Sequence, residues 1–427
     1  MAASPPVKRW YALDNSAKIY TGSMSRSWAA LYRVSVTLNE PIRPELLQTA
    51  LEQTLRRIPS FALSLRRGFF WYYLEENHKT PHVEPDVNNP CKRIVRREND
   101  DFLFRVRYYR CRIAVEVFHS LADGSGAMVF LKTLTARYLE LLGHPVEATD
   151  GVLDCSEPPH PEETEDSLRR YARFDHVESR RESAGYRPRF RREPAPTLHI
   201  TTGILPVTAV ATAARQYGVS VTEFLAGNLC YAFYRQQCAE HPRRPKAVKL
   251  NIPVNMRGFY PSRTLRNFSL FVNPGIDPRY GSYTLEETIL QIHHFLRLNV
   301  QEKKLNAIMS ANVGSEKNPL VRLMPLIVKD AALNFSYWMY GESRYSCSMS
   351  NLGRVTVPEG MRPFVRRFDF MIGPQRYLLH AATVVSYGGR LYFTVTRTAR
   401  EADVERYLFT GLVEQGIPVE VESNQGG

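Results

Sequence analysis

Residues 31 to 38, LYRVSVTL, alternate apolar and polar positions with a period of two and predict a strand. From Pro44 to Arg57 the spacing becomes helical. Leu46, Leu47, Ala50, Leu51 and Leu55 share one side, and Pro44 suits a first turn. Phe61 to Arg66 and Phe69 to Glu75 return to alternation and predict a hairpin turned at Arg67-Gly68. A polar loop over roughly 77–97 carries Pro81, Pro85 and Pro90. Phe102 to Tyr109 and Arg112 to Phe118 predict a second hairpin. In its second strand Ile113, Val115, Val117 and His119 alternate with Ala114, Glu116 and Phe118. After Gly126 the period lengthens again: Ala127, Leu131, Leu134, Tyr138 and Leu141 lie on one helical face, and Gly143 fits a stop. Residues 1–30 carry no clear period and read as an extended entry.

The second half starts with a short strand, Leu198 to Thr202, and a helix from Val207 to Tyr217 ending at Gly218. Ser220 or Thr222 can cap the next helix, which runs through Arg235 with Phe224, Leu225, Leu229 and Phe233 apolar. Val248 to Pro253 is a strand. One long helix is expected from Leu285 to about Ala311, and another from Leu320 to Tyr340, interrupted near Pro325. Four strands follow, over Tyr345 to Ser350, Phe364 to Met371, Tyr377 to Val385 and Leu391 to Thr396, with a hairpin turn at Tyr387-Gly388-Gly389-Arg390. A last helix starts near Glu401. Strands and helices mix without a steady βαβ rhythm, which predicts an α+β or mixed-sheet architecture.

With 427 residues, 44% hydrophobic and 23% charged, the chain can bury two sizeable cores. No apolar run is long enough to span a bilayer, and the first residues lack a secretory apolar core. Cys91, Cys111, Cys155, Cys230, Cys238 and Cys347 are scattered without C-x-x-C, which favours reduced thiols and a cytoplasmic protein over zinc or redox motifs. The net charge of +13 suggests nucleic acid, yet no nucleic-acid module signature is present. A basic surface also suits an anionic small substrate, acidic lipid or plain solvent. Between Gly143 and Pro196 the composition shifts. Acidic, proline-rich Glu157 to Asp166 precedes Arg169, Arg170, Arg180, Arg181, Arg187, Arg189, Arg191 and Arg192, which reads as a linker or crossover, or as a lid.

The candidate chemistry lies where the strand to Phe118 meets the helix after Gly126. His119, Asp123 and Gly124 form H-x-x-x-D-G in a strand–turn–helix setting. A neutral imidazole held at one nitrogen can take a proton at the other, which suits a general base toward a hydroxyl, amine or thiol. Asp123 can cap the helix or pair with an arginine. The same residues also fit a backbone-bonded histidine and a simple cap. Ser348 and Ser350 alternate on a strand before Asn351-Leu352-Gly353. A serine hydroxyl at a strand end can donate to an oxyanion, though Ser-Asn-x-Gly is an ordinary turn as well. There is no G-x-S-x-G, Walker A or G-x-G-x-x-G string, which disfavours a serine elbow, nucleotide hydrolysis and Rossmann cofactor use, and without H-E-x-x-H the His293-His294 pair reads as a solvated face.

FHSLADG followed by an amphipathic helix resembles the H-x-x-x-D-G motif of the chloramphenicol acetyltransferase-like acyltransferases. That superfamily includes condensation domains of peptide synthetases, plant acyl-coenzyme A acyltransferases, wax-ester synthases, mycobacterial polyketide-associated acyltransferases and microbial alcohol acetyltransferases. NIPVNMRGFYPSRTLRNF is similar to its P-V-x-x-R … N-F segment through Pro253, Val254, Arg257, Asn267 and Phe268, and MSNLG resembles its serine-bearing strand. The resemblance implies an α+β fold of two lobes, each a mixed sheet flanked by helices, with an active-site tunnel between them. On this chain it implies an N-terminal lobe over 1–165, a basic linker over 166–196 and a C-terminal lobe over 197–427.

The implied reaction moves an acyl group from acyl-coenzyme A, as co-substrate, to a small alcohol or amine, with no metal, no permanently bound cofactor and no acyl-enzyme. His119 would be the base and Ser350 would help bind the oxyanion. Asp123 would tie down the motif through an arginine, and Gly124 would keep the tunnel floor open. Arg57, in LRRIPSF, matches a condensation-domain position, with Arg257 and Asn267 as motif residues. An acyl carrier protein is the alternative donor, and a non-catalytic binding relative is the third reading. A monomer is expected. The chain departs from many relatives in having Phe118 where a first histidine stands, and Asp369 to Gly373 only echoes the plant D-F-G-W-G string.

Overall fold

A computed structural model of the chain describes residues 9–24, 28–174, 183–315, 323–340 and 342–425. Arg180, Arg181 and the expected helix start at Leu320 lie outside the described residues. In the first half the order is β1 (Trp10–Ala12), α1 (Asn15–Gly22), β2 (Leu31–Leu38), α2 (Pro44–Arg57), β3 (Leu63–Arg67), β4 (Tyr72–Glu76), β5 (Val83–Pro85), β6 (Phe104–Tyr109), β7 (Arg112–Phe118), α3 (Gly124–Leu141) and α4 (Ser167–Tyr171). The second half holds β8 (His199–Pro206), α5 (Val207–Gln216), α6 (Val221–Ala239), β9 (Val248–Asn255), β10 (Ser269–Val272), β11 (Gly275–Ile276), α7 (Leu285–Asn299) and α8 (Glu302–Ser315). It continues with α9 (Leu326–Tyr340), β12 (Cys347–Arg354), β13 (Val365–Ile372), β14 (His380–Tyr387), β15 (Arg390–Arg397), α10 (Asp403–Glu414) and β16 (Glu420–Ser423).

Two cores result. Around the first, a five-stranded sheet in the order β13-β2-β7-β6-β5 packs against α2 and α3. β7 is buried along nearly its whole length, because helices cover one face and a loop covers the other. On that second face Glu116 accepts from Arg33 Nε at 3.1 Å and from the backbone N–H of Cys91 at 2.8 Å, with Arg105 close by. A buried acid is tolerated there because it has several donors, and they hold its carboxyl below the usual range against the opposing effect of burial. The second core surrounds a mixed sheet in the order β10-β9-β12-β14-β15-β8-β16, with α5, α6, α7 and α10 against it. β12 runs parallel to both β9 and β14, so it sits in the middle of the sheet.

The two halves are interlocked. β13 comes from the second half of the chain yet pairs antiparallel with β2, setting Phe370 opposite Val34 and Ile372 opposite Tyr32. Within the first half, Arg57 sits at the end of α2. Its guanidinium donates twice to Glu163, at 2.7 and 2.8 Å, and once to the Asp154 carbonyl, pinning the segment that leads into the crossover.

Three expectations are corrected. Residues 15–22 form α1 rather than extended chain. Asp14 caps it, accepting from the Ala17 N–H at 2.7 Å, and Ala17 is buried. The single helix expected from Leu285 is two, broken at Val300-Gln301. The apolar face steps from Leu296 to Leu305, out of helical phase, and the Asn299 side chain donates to the Phe295 carbonyl at 2.7 Å. Asn351 to Gly353 is no free turn but the irregular end of β12, where the register with β14 shifts. Ser220, not Thr222, caps α6, in a reciprocal pair with Glu223.

Candidate active site

β7 ends at Phe118 and α3 begins at Gly124, so His119 to Asp123 form the connection. The His119 N–H donates to the Ala30 carbonyl at 2.8 Å, which extends the β2–β7 pairing by one residue and fixes the backbone beneath the ring. The ring stacks on Tyr20 with centroids 4.2 Å apart and meets the edge of Tyr32 at 5.0 Å. The Tyr32 hydroxyl in turn donates to the Ala122 carbonyl at 2.9 Å. His119 Nδ1 lies 3.0 Å from Asn267 Oδ1. An amide oxygen only accepts, so with the amide oriented this way the contact calls for hydrogen on Nδ1 and a lone pair on Nε2. Burial pushes the imidazole below its ordinary range, against smaller raising effects from its own backbone, Asp123 and Asn267. At neutral pH the ring is therefore an uncharged acceptor.

Asp123 makes three bonds with two oxygens. Oδ1 accepts from the Gly126 N–H at 3.0 Å and caps α3. Oδ2 accepts from Arg257 Nη1 at 2.8 Å and from the Phe268 N–H at 2.9 Å, both on the loop after β9. Arg257 also donates to the Thr264 and Arg266 carbonyls at 2.8 Å each. One carboxylate thus joins the start of α3 to the second half of the chain. Gly126 permits the close approach, because a Cβ there would stand 2.0 Å from the Leu265 carbonyl oxygen.

Beside this junction is a cavity of about 570 Å³. His119, Asp123 and Gly124 line one wall, with Tyr20 from α1, Tyr32 from β2 and Phe370 from β13. β12 supplies a further part of the lining. Cys347 and Met349 point into the second core, while Ser348 and Ser350 face the cavity, as the two-residue period of a strand requires. Gly124 stands where a Cβ would meet Leu352 at 2.9 Å.

The cavity therefore brings together His119, Asp123, Gly124 and Ser350, with Asn267 and Arg257 immediately behind. Arg57 is not among its lining residues; it holds Glu163 instead. Sequence reasoning missed Tyr20 and Asp14. No local pattern marked Asp14 as a cap, because the helix it starts buries one apolar side chain, Ala17. Among the described residues no group of three His, Cys, Asp or Glu is placed to hold a metal ion, and no helix is long and apolar enough to cross a membrane.

The fold is that of the condensation domains and chloramphenicol acetyltransferase-like acyltransferases, two lobes of mixed sheet and helix. Solved structures that share it include polyketide synthase associated protein 5 from Mycobacterium tuberculosis, with a TM-score of 0.63, 13% identity, and coverage of 94% of this chain and 96% of that one. The trichothecene 15-O-acetyltransferase of Fusarium sporotrichioides superposes with a TM-score of 0.61 at 10% identity, covering 96% and 94%. The starter condensation domain of rhizomide synthetase, solved with C8-CoA and Leu-SNAC, gives 0.60 at 13% identity, covering 95% and 94%. No protein-family model and no curated protein matches the chain in sequence.

Proposed function

We propose that the chain is an acyltransferase that moves an acyl group from acyl-coenzyme A to an alcohol or amine. The observation that carries this reading is His119, its Nδ1 3.0 Å from Asn267 Oδ1, lining the same cavity as Ser350. The fold shared with acetyltransferases and condensation domains supports it. His119 Nε2 takes the proton of the acceptor O–H or N–H as that atom bonds to the thioester carbonyl carbon. The carbonyl electron pair moves to oxygen, and the Ser350 hydroxyl donates to the oxyanion. The oxyanion then collapses, the C–S bond breaks, and the imidazolium returns its proton to the departing thiolate. No covalent enzyme intermediate forms. Asp123 and Arg257 keep the base and the second lobe in register.

The test is release of free thiol from acetyl- and longer acyl-coenzyme A with a panel of alcohols and amines. Turnover with the wild type and a loss of ~10²–10⁴-fold in His119→Ala, with unfolding temperature unchanged, is the expected result. Turnover that survives His119→Ala overturns the reading. An acyl-carrier protein tested as donor in parallel decides between coenzyme A and a carrier-bound acyl group.

A further inference from the structure

Behind His119 lies a carboxylate that the reaction above does not use. Asp14 is completely buried and caps α1, the same helix whose Tyr20 stacks on the imidazole. Its Oδ1 accepts from the Ala17 N–H at 2.7 Å. Its Oδ2 accepts from Asn267 Nδ2 at 3.3 Å, with Arg266 Nη2 at 3.6 Å. An ionised carboxylate can only accept, so it turns the Asn267 amide with its NH₂ toward Asp14 and its oxygen toward His119. That oxygen requires a hydrogen on Nδ1. The choice of tautomer therefore passes from Asp14 through Asn267 to the ring.

We propose that Asp14 and Asn267 are positioning residues that hold His119 in the tautomer with hydrogen on Nδ1, leaving Nε2 as the base. The catalytic consequence rests on the acyl-transfer reading; the tautomer itself does not. The site favours this arrangement from several sides. Asp14 is faced by Arg266, which favours its charge, and by Asp166 and Tyr20, which oppose it. The ring is faced by its own backbone carbonyl, which also favours a ring N–H, and by Asp123, Tyr20 and Tyr32, with Arg257 beyond Asp123. Burial raises the Asp14 carboxyl to about 6, so it is ionised at neutral pH and loses its charge in mild acid.

Asp14→Asn separates positioning from mere support. Asparagine still caps a helix. Because the Ala17 N–H demands an oxygen, the new NH₂ must take the place of Oδ2 and confront the Asn267 NH₂. Asn267 then turns over, offers its NH₂ to His119 Nδ1, and the hydrogen moves to Nε2. In ¹⁵N-histidine-labelled protein, with the His119 signals identified by their loss in His119→Gln, the wild type should show a protonated Nδ1 and a bare Nε2. Asp14→Asn should reverse this, and Asn267→Leu should release it. A wild-type ring protonated at Nε2, or a tautomer unmoved by Asp14→Asn, overturns the proposal whether or not the chain transfers acyl groups.

In turnover, Asp14→Asn should lower kcat ~10–10³-fold while KM stays within about twofold. Its remaining activity should keep its level to lower pH than the wild type, whose activity falls as Asp14 takes up its proton. The exchange D14N/N267D puts the carboxylate next to His119 and the amide behind it, so Nδ1 again meets an acceptor and rate returns toward wild type. Supporting residues alone give no such rescue, and an exchange no faster than Asp14→Asn sinks the relay. If the tautomer responds as described but no donor is ever consumed, the relay stands and the acyl-transfer reading fails.

Discussion

Asp123→Asn tests what joins the two lobes. The substitution keeps an oxygen for the Gly126 N–H, so the cap on α3 survives. It puts an NH₂ where Oδ2 accepted from Arg257 and from the Phe268 N–H, so the Phe268 N–H is left unpaired and Arg257 loses its charged partner while keeping Asn255 and the Thr264 and Arg266 carbonyls. A buried N–H left unpaired costs about 1–3 kcal/mol, and a bond to a charged group contributes about 1.5–3 kcal/mol. The two share one atom and overlap, which places the loss near ~4 kcal/mol. With ~2.1 cal/mol/K of unfolding entropy per residue over 427 residues, a single transition shifts ~1 °C per kcal/mol. Differential scanning calorimetry should therefore show Tm lower by about 4 °C, and Asp123→Ala should fall by about one degree more for the lost cap. Ser220→Ala, which removes only a cap on α6, should move Tm by about one degree. If Asp123→Asn melts within about 1 °C of wild type, Oδ2 is not what secures the loop after β9, and the argument from its bonds is wrong.

Two more outcomes follow from the same geometry. Gly126→Ala should lower Tm by more than Asp123→Ala and reduce turnover, because a methyl 2.0 Å from the Leu265 carbonyl pushes the second lobe away from His119; an unchanged Tm refutes this. The pH dependence of Asp14→Asn should carry a sign. The folded Asp14 keeps its proton to about pH 6 while the ordinary value is 3.8, so the wild type loses stability as pH rises through that window. Relative to wild type, Asp14→Asn should therefore gain Tm between pH 4 and pH 7, and a flat difference would show that Asp14 is not held at a cost.

Elements with a strong local period were legible in the sequence. β2 and α2 have the predicted ends, and α3 starts three residues earlier, at Gly124 rather than Ala127, because Asp123 caps it. α1 was not legible: eight residues with one buried apolar side chain give no period to read. β16 is exposed at every position and likewise shows no alternation. For the site, the resemblance singled out His119, Asp123 and Ser350, and a single cavity now holds them. What closes around His119 was out of reach, because Asp14 and Asn267 are separated by 253 positions and meet only through the fold. The same holds for Arg57 and Glu163, 106 positions apart, where spacing along the chain says nothing about pairing.

β13 has a consequence for how the molecule can be divided and how it can move. Expressing residues 1–165 alone would strip β2 of its outer neighbour and leave a long, nearly all-buried strand as an open edge, the kind of surface that recruits other chains into aggregates. The complementary fragment would carry an orphan β13 with Phe368 and Phe370 bare. The same strap restrains the lobes from swinging apart like a clamshell, since opening would have to unzip seven paired positions. A molecule that reaches His119 must then enter without a large hinge opening, through side-chain rotation and loop movement around the cavity.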